Sequence, residues 1–385
     1  MMTASLYNQV GLVVAVSQPR FASGRGFLYN ITDKLVSYQH RKARMGGDID
    51  ATISFNVSDL DLQEWFEEGI GREITVFDAT GTIIFSGYTD QVTISIAGKQ
   101  EIRGPLSDCG NNVKVVYSTV DTSVTPPVVG VRKSTAYTQN ATSQARYGII
   151  TKILSTGGAT STEALRYRNL FLREFAFPRS SGTFTSSGNP PTVTIVVRGY
   201  YNYLSFNPYN TTASGAINVS TKISNIVAAD PNAIFSAAVI QTNTFQVSAW
   251  EDEDRLEEEL IRSLVNLGDA ADGRWSFEVY EVGKVYYRAV PAIDPPMYVY
   301  SISDNQLYTM VGGERIDPWK IQPAQWIFTK DWMLGKVTAG ADYENDPRYR
   351  LIEEVQYNAP YGWTINGAVG TRVNQIVAKL QMKGY

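Results

Sequence analysis

The sequence predicts a mainly β, multidomain chain with α+β insertions, on three observations. Residues 49–57, IDATISFNV, place Ile49, Ala51, Ile53, Phe55 and Val57 on one face with a period of two. Similar runs recur around turn residues: REITVFD and TIIFSGYTDQVTISIAG flank a hairpin loop at residues 79–81, and WSFEVYEVGKVYYRAVP turns at Gly283-Lys284. The 23 tyrosines and 31 glycines suit pleated surfaces and tight turns, and tyrosine also suits protein contacts.

Taken in order, residues 10–17 form a continuous apolar run and residues 34–40 alternate loosely, so both read as strands. After residues 49–57, Ser58 or Asp59 caps a short helix, DLDLQEWFEEG, which Gly69 ends. Gly87, inside the strand that follows the first hairpin loop, implies a bulge or a barrel corner. Residues 113–117 are a short strand. The Ser, Thr, Val and Pro of residues 118–130, with Pro126-Pro127, mark a first domain boundary. Residues 143–154 and 160–175 carry helical spacing, Pro178 closes that region, and SSGTFTSSGNPP reads as a surface loop. Residues 192–197 are a strand, followed by Tyr200, Tyr201 and Tyr203. Residues 221–229 read as a helix capped by Ser220 or Thr221 and stopped by Asp230-Pro231. The strongest helix spans 252–267, with Leu256, Leu260, Ile261, Leu264 and Leu267 on one face and acids crowding its start. The expected units are an N-terminal β-barrel-like domain at 1–118, a linker with a helical and mixed insertion at 119–216, a second β-rich domain at 217–360, and an extension at 361–385.

Composition excludes several function classes. Lys and Arg total 34 against 38 Asp and Glu, a net charge of -4, so the electrostatic footprint of a general DNA binder is missing. The one cysteine, Cys109, excludes an intrachain disulfide and a multi-cysteine zinc site. The one histidine, His40, excludes paired-histidine metal motifs and argues against a His-activated nucleophile. Mean hydropathy is -0.18, no apolar run is long enough to cross a bilayer, and the start lacks the basic region of a signal peptide.

Glu251, Asp252, Glu253, Asp254, Glu257, Glu258 and Glu259 lack the alternating spacing of a calcium loop and read as a solvated helix face. The tyrosines of IVVRGYYNYL beside Arg198 would suit a glycan or single-stranded nucleic acid, but structural tyrosines are the plainer reading. Asp294 with Asp304, or Glu353 with Glu354, are chance pairs rather than a glycosidase dyad. His40 reads as a surface residue beside Arg41, Lys42 and Arg44, a basic cluster blunting a strand edge. Cys109 reads as a small buried filler, and Asn140 and Asn210 as incidental glycosylation matches. No catalytic, metal or cofactor-binding residue is assigned, so no cofactor is expected and the chain is not expected to be an enzyme.

Several segments in serial order resemble the baseplate hub and minor tail (tail-tip) proteins of long-tailed bacteriophages. They are a basic stretch with Gly46-Gly47, an acidic helix with Trp65, Gly71-Arg72, a VFD hairpin, a strand with Gly87, and LSDCGNNVKVVY. SQARYGIITKIL with Tyr147-Gly148, TVTIVVRGYYNYL with Gly199-Tyr200, Leu267-Gly268-Asp269 and GRWSFEVYEVGKVYYR continue the series, which covers most of residues 10–360. The resemblance implies a structural virion protein made in the host cytoplasm. It implies two barrel-like tube domains per chain and a homotrimeric ring with a pseudo-sixfold face, joining the tail tube to the tip and opening for DNA ejection. The implied partners are further copies, the tail tube or distal tail protein, the tape-measure protein and tail fibre or tip proteins, with DNA passing unbound. The chain stops at Tyr385, so a cell-wall hydrolase or fibre domain of the kind some relatives carry is expected to be absent or encoded elsewhere. The alternatives are the hexameric distal tail protein and, from another class, a glycan-binding adhesin-like protein.

Overall fold

The computed structural model describes residues 11–23, 26–121, 123–126, 128–185, 190–211, 215–247, 252–330, 346, 348–359 and 362–368. Strands β1 (Val13–Pro19), β2 (Phe27–Asn30), β3 (Leu35–Ala43) and β4 (Met45–Asn56) lead into helix α1 (Asp59–Glu68), then β5 (Arg72–Phe77), β6 (Ile83–Ile96), β7 (Lys99–Arg103) and β8 (Asn112–Asp121). Next come β9 (Val128–Ser134), β10 (Thr138–Gln139), α2 (Ala141–Tyr147), β11 (Thr151–Thr156), α3 (Ser161–Phe175), β12 (Ser180–Phe184) and β13 (Thr192–Gly199). β14 (Pro208–Thr211), β15 (Ile217–Asn218), α4 (Val219–Ala229), β16 (Ser236–Ile240), β17 (Gln246–Val247), β18 (Asp252–Leu256) and α5 (Glu257–Asn266) follow. β19 (Trp275–Tyr280), β20 (Lys284–Ala289), β21 (Tyr298–Ser301), β22 (Gln306–Thr309), β23 (Trp326–Lys330), β24 (Tyr349–Ala359) and β25 (Gly362–Ala368) complete the described chain.

The fold is mainly β, a curled half-barrel sheet with smaller sheets and few helices. β13 is its middle strand, antiparallel to both neighbours: Ile195 pairs with Ile53 of β4 on one side and Val92 of β6 on the other. Beyond β4 the sheet continues through β3 to β24, which carries β23 and β25. Beyond β6 it continues through β5 to β1 and β2, while the far end of β6 pairs with β7 and β7 with β12. The start of β4 pairs in parallel with β19, which brings in the β19–β20 hairpin and β16. β8, flanked by β9, β10 and β11, forms a separate sheet. Strands from all four segments delimited by sequence therefore meet in the large sheet, and residue 118 falls inside β8.

One core fills the inner face. Val193, Ile195 and Val197 of β13, Ile53 and Phe55 of β4, and Leu260, Ile261 and Leu264 of α5 belong to it. The Ser58 hydroxyl accepts from the Asp61 backbone N–H and starts α1, whose Leu62 and Trp65 are buried against the sheet. The Trp65 ring lies 5.0 Å from Phe55 and 6.1 Å from Tyr29, and the Arg72 guanidinium sits 4.9 Å over it. A capping box between Thr160 and Glu163 starts α3, which lays Ala164 on Val115 and Tyr117 of the smaller sheet. Where β13 and β6 end side by side, Gly199 and Gly87 pair. A Cβ on Gly199 would lie 1.7 Å from the Asp48 carbonyl oxygen, and one on Gly87 2.2 Å from that of Arg198.

Three local expectations are corrected. The helix expected over 143–154 ends at Tyr147, because Gly148 turns the chain at φ +77° and the β-branched residues that follow pair in parallel with β8. The helix expected over 252–267 begins at Glu257: Asp254 takes φ +58°, which no helix continues, and 252–256 pair with β14. Residues 180–184, expected as loop, form β12 on β7.

With Trp65 2% exposed, Trp65→Ala is expected to lower stability by about 3–5 kcal/mol in chemical denaturation. A loss below about 1 kcal/mol would mean the helix does not anchor the sheet.

Candidate functional site

The outward face of the central strands carries a regular pattern of polar side chains among the described residues. Cross-strand register lines up Thr93, Thr194, Ser54 and Ser37 in one row, and Gln91, Val196, Thr52, Gln39 and Asn358 in the next. A third row holds Arg198, Asp50, Arg41 and Gln356. Alternation along each strand gives hydroxyl and amide groups to this face and apolar groups to the core. The Ser54 and Thr194 hydroxyls share a hydrogen bond at 2.8 Å, Gln39 donates to Thr52 at 3.4 Å, and Thr192 donates to Asn56 at 3.4 Å.

The charges on this face are matched sideways. Arg41 donates to Asp50 at 2.6 Å and lies 3.6 Å from Glu354; Arg198 lies 3.5 Å from Asp50 and 3.4 Å from Asp90. A bulge in β6 supplies the last partner. Val196 pairs with Gln91 and Val197 with Thr89, which leaves Asp90 unpaired in the ladder, with one carboxylate oxygen toward Arg198 and the other accepting from the Ser107 N–H. Two guanidinium groups thus face three carboxylates. Such a surface hydrogen-bonds water freely and offers a phosphate chain no uncompensated cation. The apolar half of this pattern is the one read from residues 49–57; the complementary half, Asp50, Thr52, Ser54 and Asn56, is equally legible there.

His40 is corrected from surface to core. It is 1% exposed, with its Nδ1 2.9 Å from the Tyr38 hydroxyl and its ring against Phe85 and Tyr357. Burial, and next the charge of Lys42, holds its imidazole neutral, well below the ordinary histidine range. The physical reason is that β3 is flanked by β4 and β24 and is no edge. Its cations are matched: Lys42 faces Asp48 at 4.0 Å, and Arg44 donates to Glu353 at 2.6 Å and to the Trp275 carbonyl at 2.5 Å.

The remaining candidates disperse. Tyr200, Tyr201 and Tyr203 are buried and structural; Tyr200 donates to Glu73 at 2.6 Å and Tyr203 packs 4.4 Å from Tyr88. In the acidic run, Glu251 lies outside the described residues, Asp254 pairs with Lys114 at 2.6 Å, and Glu258 pairs with Arg262. Glu257 is fully buried, which corrects the solvated reading at that position. Asp294 is exposed, Asp304 accepts from Ser301, and Glu353 and Glu354 each hold an arginine. Cys109 is buried, and burial pushes its thiol up to about 12. Asn140 caps α2, and Asn210 accepts from the Asp254 N–H. Among the described residues no group of three or more His, Cys, Asp and Glu side chains could hold a metal ion, and no helix is long and apolar enough to cross a membrane.

No protein-family model matches the chain, and no curated protein does. Among solved structures it is similar to a tail protein of Neisseria meningitidis MC58, with 7% identity and a TM-score of 0.39 over 90% of this chain and 92% of that one. It is also similar to the 43 kDa tail protein of prophage MuSo2 from Shewanella oneidensis, with 9% identity and a TM-score of 0.41 over 94% and 97%. A third likeness, to the Francisella PdpA-VgrG complex, has 7% identity and a TM-score of 0.32 over 74% of this chain and 30% of that one. Likenesses at this level carry no functional argument.

Glu257 gives a test of the buried charges. Neither of its carboxylate oxygens has a hydrogen-bond partner among the described residues, and burial, with Asp230 as the second cause, pushes the group up to about 9. Above the ordinary glutamate range the folded chain therefore holds a proton that the unfolded chain has released, so the stability this group contributes is greatest at low pH and is lost as pH rises through about 9. Glu257→Gln is expected to flatten that slope and to raise stability at alkaline pH by about 1–3 kcal/mol in thermal melts. An unchanged slope would show that Glu257 is solvated.

Proposed function

We propose that this chain is a structural subunit of a phage tail tip or baseplate hub. The observation that carries the reading is the outward face of the large sheet, rich in hydroxyls and amides, with its few charges matched in place. In this reading that face lines a passage for DNA, which moves past without sticking because few phosphate counterions are displaced. The serial order of motifs from residue 10 to 360 supports the same reading. Strands β1–β7 together with β13 form one tube unit and the described strands and helices from β15 to β24 contribute the second; three copies close a ring that joins the tail tube to a threefold tip. Exposed β-edges would serve self-association and the docking of tube, tape-measure and fibre proteins. Phe27 on β2, Val129 and Val131 on β9, and Phe184 on β12 are exposed on strands that pair on one side only among the described residues. The work is mechanical, with no hydrolytic step. The glycan-binding alternative loses its proposed surface, since the tyrosines that suggested it are buried.

Imaging the assembled particle tests this directly. The expected result is a ring of three at the tail tip with Thr52, Thr194 and Gln39 facing the channel. A ring of six, or that face buried against a partner, would overturn the hub assignment.

A biochemical check uses the assembled ring and labelled duplex DNA. The native ring is expected to retain little DNA at physiological salt. Thr52→Lys with Thr194→Lys is expected to give retention that weakens steeply as salt rises. Tight retention by the native ring would sink the passage role.

A further inference from the structure

Lys42, Asp48, Glu278 and Arg288 meet where the β19–β20 hairpin docks on the N-terminal strands. The backbone link there is narrow. Met45, Gly46 and Gly47 pair in parallel with Phe277, Glu278 and Val279; the Phe277 N–H donates to the Arg44 carbonyl at 3.3 Å, and the Val282 N–H to the Ser86 hydroxyl at 3.1 Å. Gly47 allows the approach, since a Cβ there would lie 2.5 Å from the Val279 carbonyl oxygen.

Both acids at this joint are only half satisfied. Glu278 is fully buried; Oε2 accepts from Arg288 Nη2, while Oε1 has no partner among the described residues. Asp48 is 2% exposed; Oδ2 accepts from the Ser86 N–H at 3.0 Å, while Oδ1 has no hydrogen bond and faces Lys42 Nζ across 4.0 Å, too far for one. The Tyr280 hydroxyl and Arg288 Nε are likewise buried without a hydrogen-bond partner among the described residues. A cavity of about 180 Å³ opens beside these groups, lined by Lys42, Asp48, Tyr280 and Arg288 among others, and it has room for water.

We propose that this quartet makes docking of the β19–β20 hairpin proton-dependent: the joint closes while the two carboxylates are protonated and loosens when both ionise. An ionised oxygen that is buried without a hydrogen bond is costly, even with a cation 4.0 Å away as at Asp48, and opening the hairpin relieves it by admitting water from the adjoining cavity.

The titration runs in the matching direction. Burial pushes Asp48 up to about 6 against the opposing pull of Lys42 and the Ser86 N–H. Burial pushes Glu278 up to about 7 against Arg288, Arg44 and Lys42. From the turn, Glu281 raises Asp48 further. The other groups facing the pair carry no charge at neutral pH: the hydroxyls of Tyr38, Tyr280 and Tyr298 are raised, and His40 is held neutral. Both acids bind protons more tightly in the closed joint than in water, so closure is most favoured at acid pH, weakens as pH rises through about 6 and 7, and changes no further above that.

Hydrogen exchange on the full chain between about pH 5.5 and 8.5, corrected for intrinsic rates, reads the joint separately from the main sheet. Protection of the Phe277 and Val282 amides is expected to fall by at least about tenfold per pH unit between about 5.5 and 7 and to level off above 7. Protection of Ile53 and Ile195 is expected to hold. In Asp48→Asn with Glu278→Gln the hairpin is expected to change by less than about twofold. A native slope retained in the double variant overturns the proposal, as does equal loss in the hairpin and the main sheet. Should the double variant not fold, the comparison of hairpin with main sheet in the native chain still decides.

Discussion

The insertion of β13 between β4 and β6 is the constraint on which the rest of the molecule depends. Ser54 and Thr194, which share a hydrogen bond across this pairing, are 140 residues apart in sequence. Without β13, β4 and β6 would present two unpaired edges to solvent and leave Ile53, Phe55 and Val92 without their cover from Val193, Ile195 and Val197. The chain between must leave the sheet and return to it. It does so through a neck, β7 running out and β12 running back, paired antiparallel from Lys99–Phe184 to Arg103–Ser180. The smaller sheet, α2 and α3 are what lies beyond that neck. They are an excursion between two neighbouring strands, and their placement follows from the closing of the ladder.

The same pairing builds the outward face. Once Ile195 is set against Ile53 and Val92, register leaves no freedom for Thr194, which must lie beside Ser54 and Thr93. Threonine and serine suit this position: β-branching favours the strand, and the hydroxyl pairs with a cross-strand neighbour or with water. Charges enter at the row of Asp50 and next to it, where Glu354 and Asp90 answer the arginines laterally. Moving the register by one residue would exchange the two faces, placing threonines in the core and isoleucines on the surface. The apolar packing of the interior and the uncharged polarity of the exterior are therefore one property, held by the same hydrogen-bond ladder.

How much of this was legible follows from range. Ile49 to Val57, α1 with its Ser58 cap, and the two hairpin turns were readable because period, cap and turn lie within a few residues. The Thr160–Glu163 box likewise marks α3. What failed depends on partners distant in sequence. The acidic 252–256 segment has every mark of a first helical turn, yet β14 claims it as a strand, and Asp254 turns with positive φ to allow it. His40 stands in a run of basic residues that reads as solvated, and only the arrival of β24 from 300 residues later encloses it, pairing Tyr357 opposite. The outward face failed for a different reason. It is local and periodic, but a polar alternation only complements the apolar one beside it and so carries no separate fold signal.

The buried acids mark where this architecture is joined, not where it is continuous. Within the central strands the core is apolar, and the carboxylates at its rim, Asp50 and Asp90, have arginine partners. At the seams the accounting differs. Asp48 and Glu278 lie where the β19–β20 hairpin meets β4, and Glu257 lies at the start of α5, where the chain turns from β18 into the helix. Each keeps at least one buried oxygen without a hydrogen-bond partner among the described residues. A buried polar group of that kind favours opening, because water satisfies on opening what the protein leaves unsatisfied on closing. Stability is thereby distributed unevenly: the doubly paired central strands resist opening, and the seams between units open at lower cost. The order is therefore rigidity in the ladder and compliance at the joints, which is the order the proposed tail-tip role would use.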